Sequence, residues 1–340
     1  MKKVYFKRVE SKDYKELSDA ARELFEHLVE VESHAFSKTV PIKVHFGEKG
    51  NDTFVPSDCY LGVIDSLKKR GVESAYIETN VLYRGARTTA ESHKRIAADH
   101  GFTQLPVIIA DGEYGDDYTE VTIDKVYFDR CKIGKKFSDY DQFVVMSHFK
   151  GHGSAGFGGA LKQLAMGFGS RGGKLAQHSG ISPVVNPKKC IACGKCVEKC
   201  DVNAITMDDV AFIHSDKCVG CAGCIAVCPV GAITNDWRET NFKEKIAEYA
   251  YGAQLGKDNI YISFLINITR ECDCNGQHME FIAEDIGVFA SKDPVAIDTA
   301  CIDMLQKSHG SNLFDSGRES LAHAKKIGFG DSDYDLVVLE

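Results

Sequence analysis

Apolar positions in the first 150 residues alternate between short continuous runs and helical spacing. Runs at residues 4–6, 41–46, 75–79, 107–110, 126–128 and 143–146 read as strands. Between them, Ser11 is the expected N-cap of a helix reaching about Val31. Ser57 opens a second helix with Tyr60, Leu61, Val63, Ile64 and Leu67 on its apolar side and Gly71 at its end. Residues 88–100 form a third, stopped by Gly101. The same grammar returns near the C-terminus, with helices over 242–255 and 294–307, the latter opened by Asp293, and strands over 260–268, 286–290 and 336–339. Strand–helix alternation predicts an α/β fold with a mostly parallel sheet.

The alternation breaks in the middle of the chain. Residues 151–180 hold ten glycines, with Phe157, Leu161, Leu164, Met166 and Phe168 interleaved, so this is no flexible linker. Residues 187–236 are cysteine-rich. The expected organisation is one α/β domain in two parts, 1–186 and 237–340, with residues 187–236 inserted between them.

Eight of the 13 cysteines fall within 39 residues, which points to metal rather than disulfides. They form two C-x2-C-x2-C-x3-C runs, Cys190, Cys193, Cys196, Cys200 and Cys218, Cys221, Cys224, Cys228. This is the bacterial ferredoxin spacing, in which the fourth cysteine of each run ligates the other cluster. The expectation is therefore a 2[4Fe–4S] insert. One cluster is assigned to Cys190, Cys193, Cys196 and Cys228, the other to Cys218, Cys221, Cys224 and Cys200. Ala-Ile-Thr recurs four residues past each fourth cysteine, at 204–206 and 232–234, which marks an internal duplication. Structural zinc, the rival for paired C-x-x-C, explains neither the third cysteine nor the duplication.

Charge sharpens the picture. The chain carries a formal −8, yet residues 142–197 contain no Asp or Glu and seven cations: Lys150, Lys162, Arg171, Lys174, Lys188, Lys189 and Lys195. Glycine-freed backbone N–H groups and lysines suit a small anionic substrate or cofactor, with Lys150, Lys162, Lys174 and His178 as its expected contacts. A basic loop docking an acidic partner is the plainer reading. Residues 151–156 fit G-x-G-x-x-G, but the ribose-binding acid of a dinucleotide site is absent. His148, Lys150 and His152 alternate just after a strand and are expected to converge at its carboxyl end. Cys272 and Cys274 point one way if the chain there is extended. They are then thiolate ligands to an additional metal, a redox pair, or incidental thiols. Cys59 and Cys301 read as core residues. The acidic balance argues against nucleic acid, and no apolar run approaches the roughly 18 residues of a membrane span. A cytoplasmic protein of an anaerobic or strongly reducing setting is expected.

Several stretches together resemble the DUF362 family in its ferredoxin-bearing form. They are residues 82–88 (Leu-Tyr-Arg-Gly-Ala-Arg-Thr), Lys150-Gly-His152, residues 156–162 (Gly-Phe-Gly-Gly-Ala-Leu-Lys), Gly173-Lys174 with His178, Cys272-Asp-Cys274, and residues 285–298, which include Asp293 and Asp298. The likeness spans nearly the whole chain. The 156–162 stretch is also faintly similar to the nickel-pincer lactate racemases, which implies a ligand cleft between two α/β lobes.

Two functional expectations follow. One is a low-potential oxidoreductase that passes electrons through two [4Fe–4S] clusters to an anionic ligand, with His148, His152, Cys272 and Cys274 catalytic and a histidine supplying protons. It requires a redox partner protein. The other is a non-catalytic electron carrier or maturation factor that docks a partner enzyme. A deep cleft facing the cysteine-rich segment discriminates the two.

Overall fold

The computed structural model describes residues 1–9, 13–178, 182–235 and 241–340. Eight strands form one twisted sheet in the order Tyr334–Val338, Lys2–Arg8, Gly287–Ser291, Ile260–Leu265, Val144–His148, Ile42–Lys43, Tyr76–Glu78, Val107–Ile109. All neighbours are parallel except Gly287–Ser291, which runs antiparallel to both strands beside it. The fold is therefore α/β with a mostly parallel sheet. Strands from before and after the cysteine-rich segment interleave: Ile260–Leu265 pairs with Val144–His148, and Gly287–Ser291 with Lys2–Arg8.

Both faces of the sheet are covered, which explains the continuous apolar runs. Val144, Met146, Ile260, Ile262 and Phe264 face a core shared with helices Tyr14–Val31 and Leu61–Lys69. Val145, Tyr261 and Leu265 face the opposite core, shared with helices Ala160–Phe168, Phe242–Gln254 and Pro294–His309. Cys59 and Cys301 are fully buried in these cores.

The structure corrects several local expectations. Residues 126–128 are no strand. They form a loop whose three N–H groups donate to the buried Glu248 carboxylate, at 3.0, 2.9 and 3.0 Å. Instead, Tyr118–Thr122 and Arg130–Gly134 form a hairpin, with the loop as its tip. The first helix is capped by Asp13, whose side chain accepts from the Lys15 N–H; Ser11 lies outside the described residues. The third helix is Ala90–Asp99, shorter than residues 88–100, and Thr89 caps it through a capping box with Ser92. The glycine-rich stretch is ordered as a hairpin of Lys150–His152 with Gly156–Gly158, followed by helices Ala160–Phe168 and Arg171–His178.

Candidate functional site

Four parallel strands, Ile42–Lys43, Tyr76–Glu78, Val144–His148 and Ile260–Leu265, end on one side of the sheet. Open α/β sheets hold ligands at such carboxyl ends. Here they frame a pocket with a cavity volume of about 60 Å³. His45 comes from beyond the first strand, Glu78 and Thr79 from the end of the second, Ser147 and His148 from the third, Lys150 from the hairpin that follows it, and Cys272 and Cys274 from beyond the fourth. Helix Ala160–Phe168 adds Lys162 and Gln163, and helix Arg171–His178 adds Lys174. Six of the side chains singled out in the sequence, His148, Lys150, Lys162, Lys174, Cys272 and Cys274, thus line one cavity.

The cysteine pair does not lie on an extended segment. The Asn275 N–H donates to the Cys272 carbonyl at 2.9 Å, so residues 272–275 form a turn. Asp273 at its centre is 1% exposed. Its carboxylate receives His148 Nδ1 at 3.0 Å and Lys150 Nζ at 3.0 Å. Burial pushes the Asp273 carboxyl upward, but His148 and Lys150 beside it prevail and hold it well below the usual range. His148 Nε2 faces the Ile266 carbonyl at 2.8 Å. Each ring nitrogen thus meets an oxygen, and the ring ties strand and turn together.

His152 and His178 stand apart from the pocket lining. The His178 ring stacks on Phe242 at 4.3 Å, and His152 lies against the same ring at 6.2 Å. Burial, followed by the Lys162 charge, lowers His152 to about 3; burial and the neighbouring His152 lower His178 to about 3. Both are neutral near pH 7, so neither adds positive charge there and neither is a proton donor of the imidazolium kind. The chain folds back after Phe149 into the Lys150–His152 hairpin, and this separates His152 from His148.

Cys272 is held down to about 5, first by a hydrogen bond from Cys274 and then, against burial, by Lys162 and Lys150. Burial lowers Lys174 to about 8, with Asp111 opposing; its Nζ donates to Thr79 Oγ1 at 2.5 Å and to the Gly169 carbonyl at 2.7 Å. Several residues in or behind the pocket wall had no assigned role in the sequence. Arg87, 1% exposed, binds Tyr83 Oη at 2.8 Å, Glu48 at 3.3 Å and His45 Nε2 at 3.1 Å. Buried Lys43 pairs with Glu78 at 3.0 Å. Asp298 accepts from the Ala160 and Leu161 N–H groups at 2.7 and 2.8 Å, fixing the helix that carries Lys162. Arg87 and Asp298 sit inside the stretches that carry the DUF362 resemblance. His45 and Lys43 had no local signal.

The cysteine-rich segment has its own small core. One small cavity is lined by Cys190, Cys193, Cys196 and Cys228. A second is lined by Cys200, Cys218, Cys221 and Cys224. The two loops share an uncommon backbone: Ala192 and Gly220 at one equivalent position, and Gly194 and Ala222 at the next, all have left-handed φ, at 50°, 64°, 78° and 60°. Two alanines held there imply a conformation imposed by the loop rather than chosen by the residue. Among the described residues no three His, Cys, Asp or Glu side chains converge on a single-ion site. Four thiols spaced around a cavity suit a polynuclear cluster, in which each binds a different iron.

This segment lies one chain layer from the pocket. Val81 lines the pocket while Leu82 joins the small core; Lys174 lines the pocket while Leu175 joins the small core. A Cβ on Gly172 would fall 2.4 Å from the Gly220 carbonyl oxygen and 3.1 Å from Cys221 Cα. The second cysteine loop therefore rests directly on the helix that carries Lys174.

These features define an α/β protein with a polar, cation-rich pocket at its strand ends and a cysteine-rich module packed beside it. The chain belongs to the family described as Domain of unknown function (DUF362), whose profile matches residues 40–303. No curated protein matches it. Among solved structures, the lactate racemase apoprotein from Thermoanaerobacterium thermosaccharolyticum is similar at 12% identity and TM-score 0.44, over 86% of this chain and 55% of that one. A Thermotoga maritima protein is similar at 9% identity and TM-score 0.43, over 94% and 60%. The chain thus spans a little over half the length of each. Among the described residues no helix is long and apolar enough to cross a membrane.

Proposed function

We propose that the protein is a low-potential iron–sulfur oxidoreductase acting on an anionic substrate or cofactor in the strand-end pocket. The observation that carries this reading is the partition of eight cysteines into two cavities of four, each drawing one cysteine from the other run. These sets would hold two [4Fe–4S] clusters in a ferredoxin-like insert, and such clusters supply one-electron transfer. The Cys200, Cys218, Cys221, Cys224 set lies against the pocket helix. In the other set Cys193 is exposed and Ile191 is 60% exposed, which leaves that end open to a redox partner protein.

Within the pocket the chain's own groups have separable tasks. Lys150 is paired with Asp273 and Arg87 with Glu48, so Lys162, with Lys174 beyond it, supplies the charge that holds an anion. His148 is a positioning residue that fixes the Asp273 turn and with it both thiols. Cys272 and Cys274 are the reactive groups. A polar pocket beside the cysteine-rich segment favours an enzyme over a carrier, which needs no such cavity.

Anaerobically purified protein should contain eight irons per chain, and Cys228→Ala should remove the cluster held by Cys190, Cys193 and Cys196 while leaving the other. Iron quantitation with electron paramagnetic resonance of the reduced protein checks both. Zinc in place of iron, or loss of the cluster held by Cys218, Cys221 and Cys224 instead, overturns the assignment.

A further inference from the structure

The pocket holds two thiols and an unengaged cation, and their arrangement discriminates between a metal site and a redox pair. Cys272 and Cys274 are the first and third residues of a hydrogen-bonded turn. Such a turn reverses the chain and keeps both thiol-bearing residues on one short loop. Both thiols line the same pocket. A thiolate metal site takes about four ligands. Beyond the two sulfurs a close further donor is His45 Nε2, 3.5 Å from Cys274 Sγ, and that nitrogen accepts from Arg87 at 3.1 Å, which occupies its lone pair. Among the described residues no third ligand completes a site.

Lys162 carries the second half of the argument. It lines the same pocket and, among the described residues, has no hydrogen-bond or ion-pair partner; the charges that bear on it most are those of Cys272 and Cys274. By contrast Lys150 and Lys174 are both engaged. A free ammonium beside two sulfurs is placed to hold an anionic ligand against them.

We propose that Cys272 and Cys274 form a reversible dithiol–disulfide couple whose substrate is a small anionic disulfide held by Lys162. The Cys272 thiolate attacks one substrate sulfur, forming a mixed disulfide and releasing the other sulfur as a thiolate. Cys274 then attacks Cys272 Sγ, forming the internal disulfide and releasing the second substrate thiol, which takes the Cys274 proton. The substrate gains two electrons and the pair loses two. Return to the thiolate–thiol state takes two electrons and one proton from a low-potential one-electron donor. Only this return rests on the function proposed above.

The test uses the full iron-loaded chain without any electron donor, so that it reads the exchange separately from iron content. Protein is mixed anaerobically with glutathione disulfide or with cystamine, a cationic disulfide, then alkylated and digested. The peptide bearing Cys272 and Cys274 should lose both alkylation sites and two hydrogens. Glutathione disulfide should react at least tenfold faster than cystamine, Lys162→Met should abolish that preference, and Lys162→Arg should retain it. Cys274→Ser should trap one glutathionyl group on Cys272. The proposal is overturned if the peptide keeps two free thiols throughout, or if wild type and Lys162→Met react with both disulfides alike. Normal exchange in a protein lacking the eight irons would sink the function proposed above and leave this one standing.

Discussion

At the residue scale, Asp273 organises the site. It stands between the two thiols, yet its own side chain points into the protein, where His148 and Lys150 meet it at 3.0 Å. Asp273→Asn would leave Lys150 buried without its counter-charge and His148 facing an amide. Breaking a buried pair in this way costs about 3–5 kcal/mol, so urea unfolding should show a deficit of that order at pH 7. The pH dependence has a definite sign. A carboxyl whose folded pKa is depressed stabilises fully above its unfolded value of about 3.9, and that stability is lost as pH falls through the lower folded value. The gap between wild type and variant should therefore narrow below about pH 4 and hold steady above it. A gap independent of pH across that range would mean that Asp273 acts by shape alone. The histidines carry the opposite lesson. His152 and His178 look cationic in sequence, but burial and Lys162 keep them neutral.

At the scale of elements, the helix Arg171–His178 is the joint between pocket and cysteine loops. Lys174 faces the pocket, Leu175 the small core, and Gly172 lies under the Gly220 carbonyl. Arg171 secures the helix from its other side, donating to the Val81, Tyr114 and Thr88 carbonyls. A side chain at Gly172 cannot be accommodated without backbone movement, because the atoms it meets are backbone. Gly172→Val should push the second cysteine loop away and speed iron loss to a chelator several-fold. Alkylation of the pocket cysteines should stay unchanged. If iron release is unaffected, the loop is held by its own core and the contact is incidental.

At the scale of the whole molecule, the sheet interleaves the two ends of the chain. Strand Ile260–Leu265 lies between Val144–His148 and Gly287–Ser291, and Gly287–Ser291 lies between it and Lys2–Arg8. Residues 237–340 alone would expose the sheet edges that these N-terminal strands cover. That fragment should be unfolded by circular dichroism, while a chain with residues 187–236 excised and the ends joined should retain the α/β signal and a cooperative melt. A folded, monomeric C-terminal fragment would contradict the strand pairing.

The sequence by itself determined what is local. Cysteine spacing set the two loops, because three thiols of each run lie within seven residues of one another. Runs of Val, Ile and Phe marked most strands, because a sheet covered on both faces leaves few polar positions. Asp293 and Pro294 marked a helix start, and the side chain of Asp293 does accept from Val295 and Ala296. Residues 126–128 misled because their apolar side chains suit a strand while their N–H groups are taken by Glu248, a residue over a hundred positions away. Only the tertiary structure decided which groups share the pocket. Its walls come from segments as distant as His45 and Cys274, brought together by parallel strands whose order along the sheet is not their order along the chain. It also decided which charges remain free there: Lys150 and Lys162 look equivalent in sequence, but burial of Asp273 neutralises one and leaves the other for a ligand.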